Sequence, residues 1–160
     1  MGRLRNMASV YLVDDQGILM LYRIGSKIAD KLYIGTAGGH FEKDELNDAR
    51  ACVLREMEEE LGLLESDIQD LKLRYITLRR KNGEIRQNYY FFARRVSKRE
   101  LTSNEGQLRW CPYEAVGALP MPVSAAFMMN HYLKVGRYTE ELYAGVTTEE
   151  GISFEVMREF

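Results

Sequence analysis

The chain has 160 residues, 46% of them hydrophobic and 11% aromatic, with 22 lysines and arginines against 24 aspartates and glutamates. This composition excludes a disordered or collagen-like chain, and a formal net charge of -2 argues against a protein built to coat nucleic acid or an anionic membrane. Two cysteines, Cys52 and Cys111, are too few for a disulfide framework or a four-ligand zinc site. Because no apolar run is long enough for a membrane span or a signal peptide, we expect a single cytoplasmic domain over residues 1–160.

Apolar runs bounded by turn residues predict five strands along the chain, at 8–13, 18–23, 71–80, 84–96 and 108–112. The first two are separated by Asp14-Asp15-Gln16-Gly17, which is typical of a tight turn. The third and fourth flank Asn82-Gly83, the pair that best supplies the two positive φ angles of a type I′ turn. Both pairs are therefore predicted to be hairpins. The aromatic run from Tyr89 to Phe92 is expected in the core, with a base pocket as the alternative.

Helical periodicity predicts two helices, around 47–61 and around 123–134. In the tail, residues 136–160, Thr139 precedes Glu140-Glu141-Leu142 as a helix cap would, which predicts a further helical segment there. Strands interspersed with two or three helices indicate a mixed α/β class (α+β). The strand order is not given by these patterns.

The most informative segment is the acidic stretch at the end of the first predicted helix. At about 100° per residue, Glu56, Glu59 and Glu60 share an arc of roughly 100°, whereas Glu58 falls on the opposite side. The adjoining flank is apolar and is expected to face the core; its members are Val53, Leu54, Met57 and Leu61.

Three converging carboxylates repel one another unless a cation neutralises them. Oxygen ligands without an accompanying cysteine suit Mg²⁺, Mn²⁺ or Ca²⁺ rather than Zn²⁺. Arg55 lies close enough on the helix to orient a carboxylate, and the Gly38-Gly39 pair allows a close backbone approach in which a carbonyl could complete a metal shell. The alternative interpretation of the helix is an ordinary solvated face.

These residues resemble the signature of the Nudix hydrolases, G-x5-E-x7-R-E-U-x-E-E-x-G-U with U aliphatic. The segment from Arg55 to Leu63 matches the second half at every fixed position, and Gly39 to Glu45 matches G-x5-E. Nine residues instead of seven separate the two halves. The first glutamate of the signature is therefore Glu45 when the spacing is counted from Gly39. Counted back from Arg55, the same position is Asn47, which is a better helix cap than an ion-pair partner. The signature lies at 38–63, and the resemblance extends over 7–135.

The resemblance implies an α/β/α sandwich with a mixed sheet between helices. It implies five metal ligands, namely the carbonyl of Gly38 and the carboxylates of Glu56, Glu59, Glu60 and Glu105; the last precedes Trp110 in a segment similar to one that follows the signature in MutT-like members. It assigns catalytic roles to Arg55 and to Glu56, Glu59 or Glu105, one of which would take the proton from water. It places Arg23 and His40 on the phosphate side of the substrate.

The activity implied is Mg²⁺-dependent hydrolysis, with Mn²⁺ as a substitute, of a nucleoside diphosphate linkage. A nucleoside triphosphate, oxidised or otherwise non-standard, is the favoured substrate. Leu119-Pro120-Met121-Pro122-Val123-Ser124-Ala125 resembles the pocket of MutT-like enzymes but lacks their base-reading asparagine. The alternatives are a non-catalytic nucleotide-sensing domain and a hydrolase of nucleotide sugars or dinucleotides. The expected partner is a small-molecule nucleotide, with no nucleic acid polymer and no membrane, and a homodimer is left open.

Overall fold

The computed structural model describes residues 2–25, 27 and 30–160. Its strands are β1 (Arg3–Val13), β2 (Gly17–Arg23), β3 (Leu32–Ile34), β4 (Ala37–His40), β5 (Ile68–Lys81), β6 (Glu84–Arg95), β7 (Gln107–Pro112), β8 (Tyr143–Thr148), β9 (Gly151–Ile152) and β10 (Glu155–Val156). Its helices are α1 (Ala49–Leu61), the short α2 (Tyr113–Val116) and α3 (Val123–Lys134). None of the helices among the described residues combines the length and apolar character needed to cross a membrane.

The strands of the described chain form one mixed sheet in the order β10-β8-β5-β6-β1-β2-β3, with β4 paired to β1, β7 to β2 and β9 to β8. Two pairs are parallel, β1 with β6 and β5 with β8. The two predicted hairpins are confirmed: β1 and β2 meet at Val13 and Ile18, and β5 and β6 join through Asn82 and Gly83, whose φ angles are 52° and 74°. The strand predicted at 108–112 is also confirmed, as β7.

The sheet separates two apolar layers. On one face, α1 packs its buried side onto β1, β2 and β6; the buried α1 residues are Cys52, Val53, Met57 and Leu61. On the other face, α3 covers an aromatic layer in which the rings of Phe92 and Tyr132 are stacked at 4.0 Å. Tyr90, Phe91 and Phe92 are all buried, as the core interpretation of the aromatic run expected. The predicted class, a mixed sheet between helices, is confirmed.

The prediction for the tail is wrong. Thr139 caps no helix: it follows a single 3₁₀ turn at Gly136–Tyr138, and the chain then forms β8 beside β5. The cause is the long-range partner Arg74, which is 6% exposed and donates to the carbonyls of Gly136, Thr139 and Glu141. This arginine holds the segment that leads into β8. The cap pattern at Thr139 depends only on neighbouring residues and therefore cannot reveal such a distant partner.

Candidate active site

The acidic side of α1 is oriented by the way the helix begins and ends. The helix is capped by Asp48, whose carboxylate accepts from the N–H of Ala51 at 3.0 Å. It ends at Gly62, whose N–H donates to the main-chain carbonyl of Glu58. The predicted cap, Asn47, is exposed and lies one residue before the cap. With the apolar flank buried on the sheet, Glu56 and Glu60 are half-buried and Glu58 points to solvent.

Arg55 connects the two halves of the signature. Its Nε and Nη2 donate to the two carboxylate oxygens of Glu45, each at 2.8 Å, in a forked ion pair. Its Nη1 donates to Glu56 at 2.9 Å and to Glu59 at 3.0 Å, and its Nη2 also reaches the carbonyl of His40 at 3.1 Å. One guanidinium therefore positions carboxylates from both sides of the site.

Glu45 is the arginine partner, which decides between the two counts of the signature. Its side chain is buried, and the hydrogen bonds from Arg55 lower its pKa to about 2. The two additional residues, Leu46 and Asn47, are exposed between the 3₁₀ turn at Lys43–Glu45 and the cap of α1. The insertion therefore lengthens the connection outward, and the count from Gly39 was the correct one.

Gly39 lets the backbone of β4 lie against Glu56. A Cβ at Gly39 would stand 2.3 Å from the Oε1 atom of Glu56, so any side chain there would displace this carboxylate. The neighbouring N–H of Gly38 donates to Glu60 at 3.4 Å. The glycine pair thus supports both carboxylates, while the predicted role of the Gly38 carbonyl as a metal ligand stays a prediction.

Glu60 stands among other carboxylates. Burial, together with the negative charges of Glu56 and Glu105, raises the pKa of Glu60 to about 8, although the N–H of Gly38 opposes this shift. A carboxyl group that burial and neighbouring anions shift towards its protonated form marks a place where a cation would be stabilised. Glu59 differs, because its side chain is 56% exposed and lies against Arg55.

Glu105 reaches the site from the segment before β7, opposite Arg23 at the end of β2. The Nη2 atom of Arg23 donates to Glu105 at 3.0 Å, and the Nε atom of Arg23 is buried with no hydrogen-bond partner among the described residues. The structure therefore places a predicted phosphate-contacting arginine directly beside a predicted metal carboxylate.

The main-chain carbonyl and the side-chain ring of His40 contact different neighbours. Its carbonyl accepts from Arg55, whereas its ring Nε2 lies 2.9 Å from the Nη2 atom of Arg5. Burial, and then the charge of Arg5, lower the pKa of the ring. The ring thus belongs to the side of β4 that faces Arg5, and its predicted contact with phosphate stays a prediction.

The predicted metal ligands are near one another without forming a closed shell. Within the described part of the chain, no three histidine, cysteine, aspartate or glutamate side chains are arranged to hold an ion. Three of the carboxylates are instead paired with arginines, Glu56 and Glu59 with Arg55 and Glu105 with Arg23. The donor set consists of carboxylate oxygens in mutual repulsion, which fits a hard divalent cation such as Mg²⁺ or Mn²⁺.

The family model described as the NUDIX domain matches residues 3–131. The chain belongs to the Nudix family. This confirms the family predicted from the signature and classes the chain with the Nudix-type hydrolases. The match to the family model ends before β8, so the prediction of one domain over residues 1–160 stays a prediction. The tail nevertheless joins the same sheet, because β8 pairs with β5.

Solved structures share the Nudix fold at low sequence identity. A MutT mutator protein from Bacillus halodurans is 22% identical, with a TM-score of 0.66, over 95% of this chain and 97% of that chain. A MutT Nudix hydrolase from Burkholderia pseudomallei is 23% identical, with a TM-score of 0.62, over 82% and 97%. An Ap4A hydrolase from C. elegans is 12% identical, with a TM-score of 0.65, over 84% and 99%. No curated protein matches this chain significantly.

Sequence reasoning missed Arg5, which meets the ring of His40, and left the role of Glu45 open. The signal for Glu45 was present in its spacing from Gly39. No local signal identifies Arg5, because its position depends on which strands pair with β1.

Proposed function

We propose that this protein is a Mg²⁺-dependent pyrophosphohydrolase that cleaves a nucleoside diphosphate linkage, with a nucleoside triphosphate, oxidised or otherwise modified, as substrate. The observation that carries the proposal is the convergence of Glu56, Glu60 and Glu105 beside the glycine pair of β4. The choice of a nucleoside triphosphate follows from the resemblance to MutT-like enzymes, a name that two structural neighbours also carry, and the Ap4A hydrolase neighbour makes a dinucleotide the first alternative.

Glu56, Glu59, Glu60, Glu105 and the carbonyl of Gly38 would hold the divalent ions. When bound, such ions neutralise the diphosphate, lower the pKa of a bound water and stabilise the leaving oxygen.

Arg55 keeps Glu56 and Glu59 in place, and is itself fixed by Glu45. One of the carboxylates Glu56, Glu59 and Glu105 takes the proton of the attacking water. Arg23, whose Nε lacks a partner among the described residues, donates to an oxygen of the phosphate. Arg55 thus positions carboxylates and Arg23 contacts the phosphate, which explains why two arginines lie within a site proposed to bind cations.

The test is a panel of nucleoside triphosphates, oxidised nucleotides and dinucleotides, with release of phosphate and pyrophosphate measured in Mg²⁺, in Mn²⁺ and in EDTA. Glu60→Gln should lower turnover by more than the roughly 10- to 100-fold loss that follows removal of an outer partner of a metal site. The matched control is Glu58→Gln, on the same helix but exposed, which should retain wild-type turnover.

Three results would contradict the proposal: no turnover on any substrate, turnover that survives EDTA, or equal turnover in Glu60→Gln and the wild type. Tight nucleotide binding without turnover would identify the sensing domain instead. The remaining parts of the proposal are a cytoplasmic setting and a small-molecule nucleotide rather than a nucleic acid polymer. Light scattering on the purified protein decides between monomer and homodimer.

A further inference from the structure

Three arginines from three neighbouring strands form a row across the sheet. Arg5 on β1 lies opposite Arg86 on β6, and Arg86 lies opposite Arg79 on β5. Residues directly opposite each other on paired strands present their side chains on the same face. Arg5, Arg86 and Arg79 are called the arginine row below.

The arginine row has little negative charge to balance it. Glu84 is the carboxylate shared by two of its members, at 3.0 Å from the Nε of Arg86 and 3.8 Å from the Nη1 of Arg5. Arg79 has no carboxylate oxygen within 4.0 Å among the described residues. The next row on the same face adds Arg3 and Lys81 on either side of Glu84. Like charges opposite one another destabilise a sheet, so this arrangement favours a bound anion.

The arginine row is not an ordinary solvated surface. All three side chains are half-buried, and the Nε atom of Arg5 is buried with no hydrogen-bond partner among the described residues. A cavity of about 460 Å³ opens at the Arg5 end of the row, and its polar walls are Arg3, Arg5, Asn6, His40 and the carboxylate of Glu84. A ligand therefore has space beside the row and an unpaired donor to meet there.

The arginine row and the carboxylates of the candidate active site lie on opposite faces of the sheet, with β4 between them. Arg5 lies 2.9 Å from the ring of His40, and the residue before His40 is Gly39, which lies against Glu56 on the other face. A molecule that passes around β4 can place its diphosphate at the carboxylates and another part at the arginines.

We propose that the arginine row binds a second phosphate group of the substrate, one that is not part of the diphosphate being cleaved. This rests on the proposed function, because it describes the far end of the same substrate. Planar guanidinium groups bind phosphate oxygens through paired hydrogen bonds. A neutral nucleobase carries no charge that would need three arginines, whereas a phosphate group does. The preferred substrate is then a nucleotide that carries a further phosphate on its sugar.

A small molecule suits the arginine row better than a polymer. The row crosses three strands, about 10 Å in all, which is the size of one phosphate group and its surroundings. Beyond it lie the carboxylates around Glu60, which would repel a continuous phosphate backbone. A short RNA is therefore a competing outcome of the test.

The experiment is calorimetric binding in EDTA, so that neither metal nor turnover is needed. Adenosine 3′,5′-bisphosphate and adenosine 2′,5′-bisphosphate are compared with adenosine 5′-monophosphate. We expect at least one bisphosphate to bind about tenfold tighter than the monophosphate, as charged hydrogen bonds imply. Arg79→Gln should reduce this preference about tenfold.

The matched control is Arg80→Gln, which removes the same charge from the adjacent residue on the opposite face of β5 and should keep the preference. If Arg79→Gln fails to fold by circular dichroism, Arg86→Gln is measured in its place and should show the same loss. The proposal is overturned if neither bisphosphate binds tighter than the monophosphate, or if the two variants lose the preference equally. It is also overturned if a 12-residue RNA outcompetes both bisphosphates through Arg79. Failure of the proposed function appears separately, as absence of turnover with Mg²⁺.

Discussion

The carboxylates beside α1 and the arginine row both concentrate like charges, but they differ in how far the protein itself balances those charges. Arg55 binds Glu45, Glu56 and Glu59, and Arg23 binds Glu105. The arginine row shares one carboxylate between two of its members. The acidic region is therefore oriented by several ion pairs within the chain, whereas the basic region is only partly balanced, by Glu84.

This difference changes how the near-neutral net charge is understood. A formal charge of -2 argues against a broad surface for polyanions. It is compatible with two opposite fields on the two sides of β4, one suited to cations and the other to phosphate.

The largest effect is expected from Gly39→Ala. The added Cβ would stand 2.3 Å from the Oε1 atom of Glu56, so this carboxylate must move, and misplacement by about 1 Å costs on the order of 100-fold in rate. The measurement is kcat/KM with Mg²⁺ on the best substrate of the panel. Gly117→Ala is the control, because its Cβ would meet only a Leu133 methyl group at 3.6 Å. Wild-type kcat/KM in Gly39→Ala would show that the close approach is unimportant.

Glu45→Gln should lower the free energy of unfolding by about 2 kcal/mol at pH 7, because it removes charged hydrogen bonds from Arg55. The folded-state pKa of Glu45, about 2, lies below its ordinary value of 4.5. The stabilisation is therefore complete above pH 4.5 and is lost as the pH falls towards 2.

Urea unfolding at pH 7 and pH 3 measures this dependence. The difference between wild type and Glu45→Gln should shrink at pH 3, while the exposed neighbour control Asp44→Asn should stay near the wild type at pH 7. An equal difference at both pH values would mean that the ion pair is not its source.

Mg²⁺ should stabilise the folded protein through the carboxylates alone. Raising Mg²⁺ to about ten times its dissociation constant should add about 1.4 kcal/mol to the free energy of unfolding. The shift should be absent in Glu60→Gln and retained in the exposed control Glu58→Gln and in Arg79→Gln. A shift of equal size in Glu60→Gln would place the ion elsewhere.

The smallest effect is expected from Arg79→Thr. Removing one of three like charges, and placing a β-branched residue in β5, should raise the free energy of unfolding by about 0.5 kcal/mol at low salt. Arg80→Thr on the other face is the reference for the β-propensity contribution alone. If the two substitutions stabilise equally, repulsion within the arginine row contributes nothing.

The features that the sequence predicted correctly are those that depend on residues close together in the chain. The hairpin through Asn82 and Gly83 follows from the conformation those two residues prefer, and α1 follows from its periodicity. The acidic side of α1 could be deduced because helix geometry fixes which residues share a face. The signature then extended the site to Gly39, and the resemblance of a segment after the signature extended it to Glu105.

What the sequence did not predict depends on distant partners. The β8 strand forms because Arg74 binds the carbonyls that precede it, which overrides the local cap pattern at Thr139. The arginine row requires the register of β1 with β6 and of β6 with β5, and the chain carries no local sign of the first pairing.

The parallel pairing of β1 with β6 has a consequence for how the protein folds. The β5–β6 hairpin closes through a two-residue turn and can form early, whereas Arg3 pairs with Glu84 across about half of the chain. Such long-range pairing is slow, because the entropy of closing the loop is lost before the contacts are gained. Since the arginine row and the glycine pair of β4 both depend on β1, we expect the two charged regions to be completed together, late in folding.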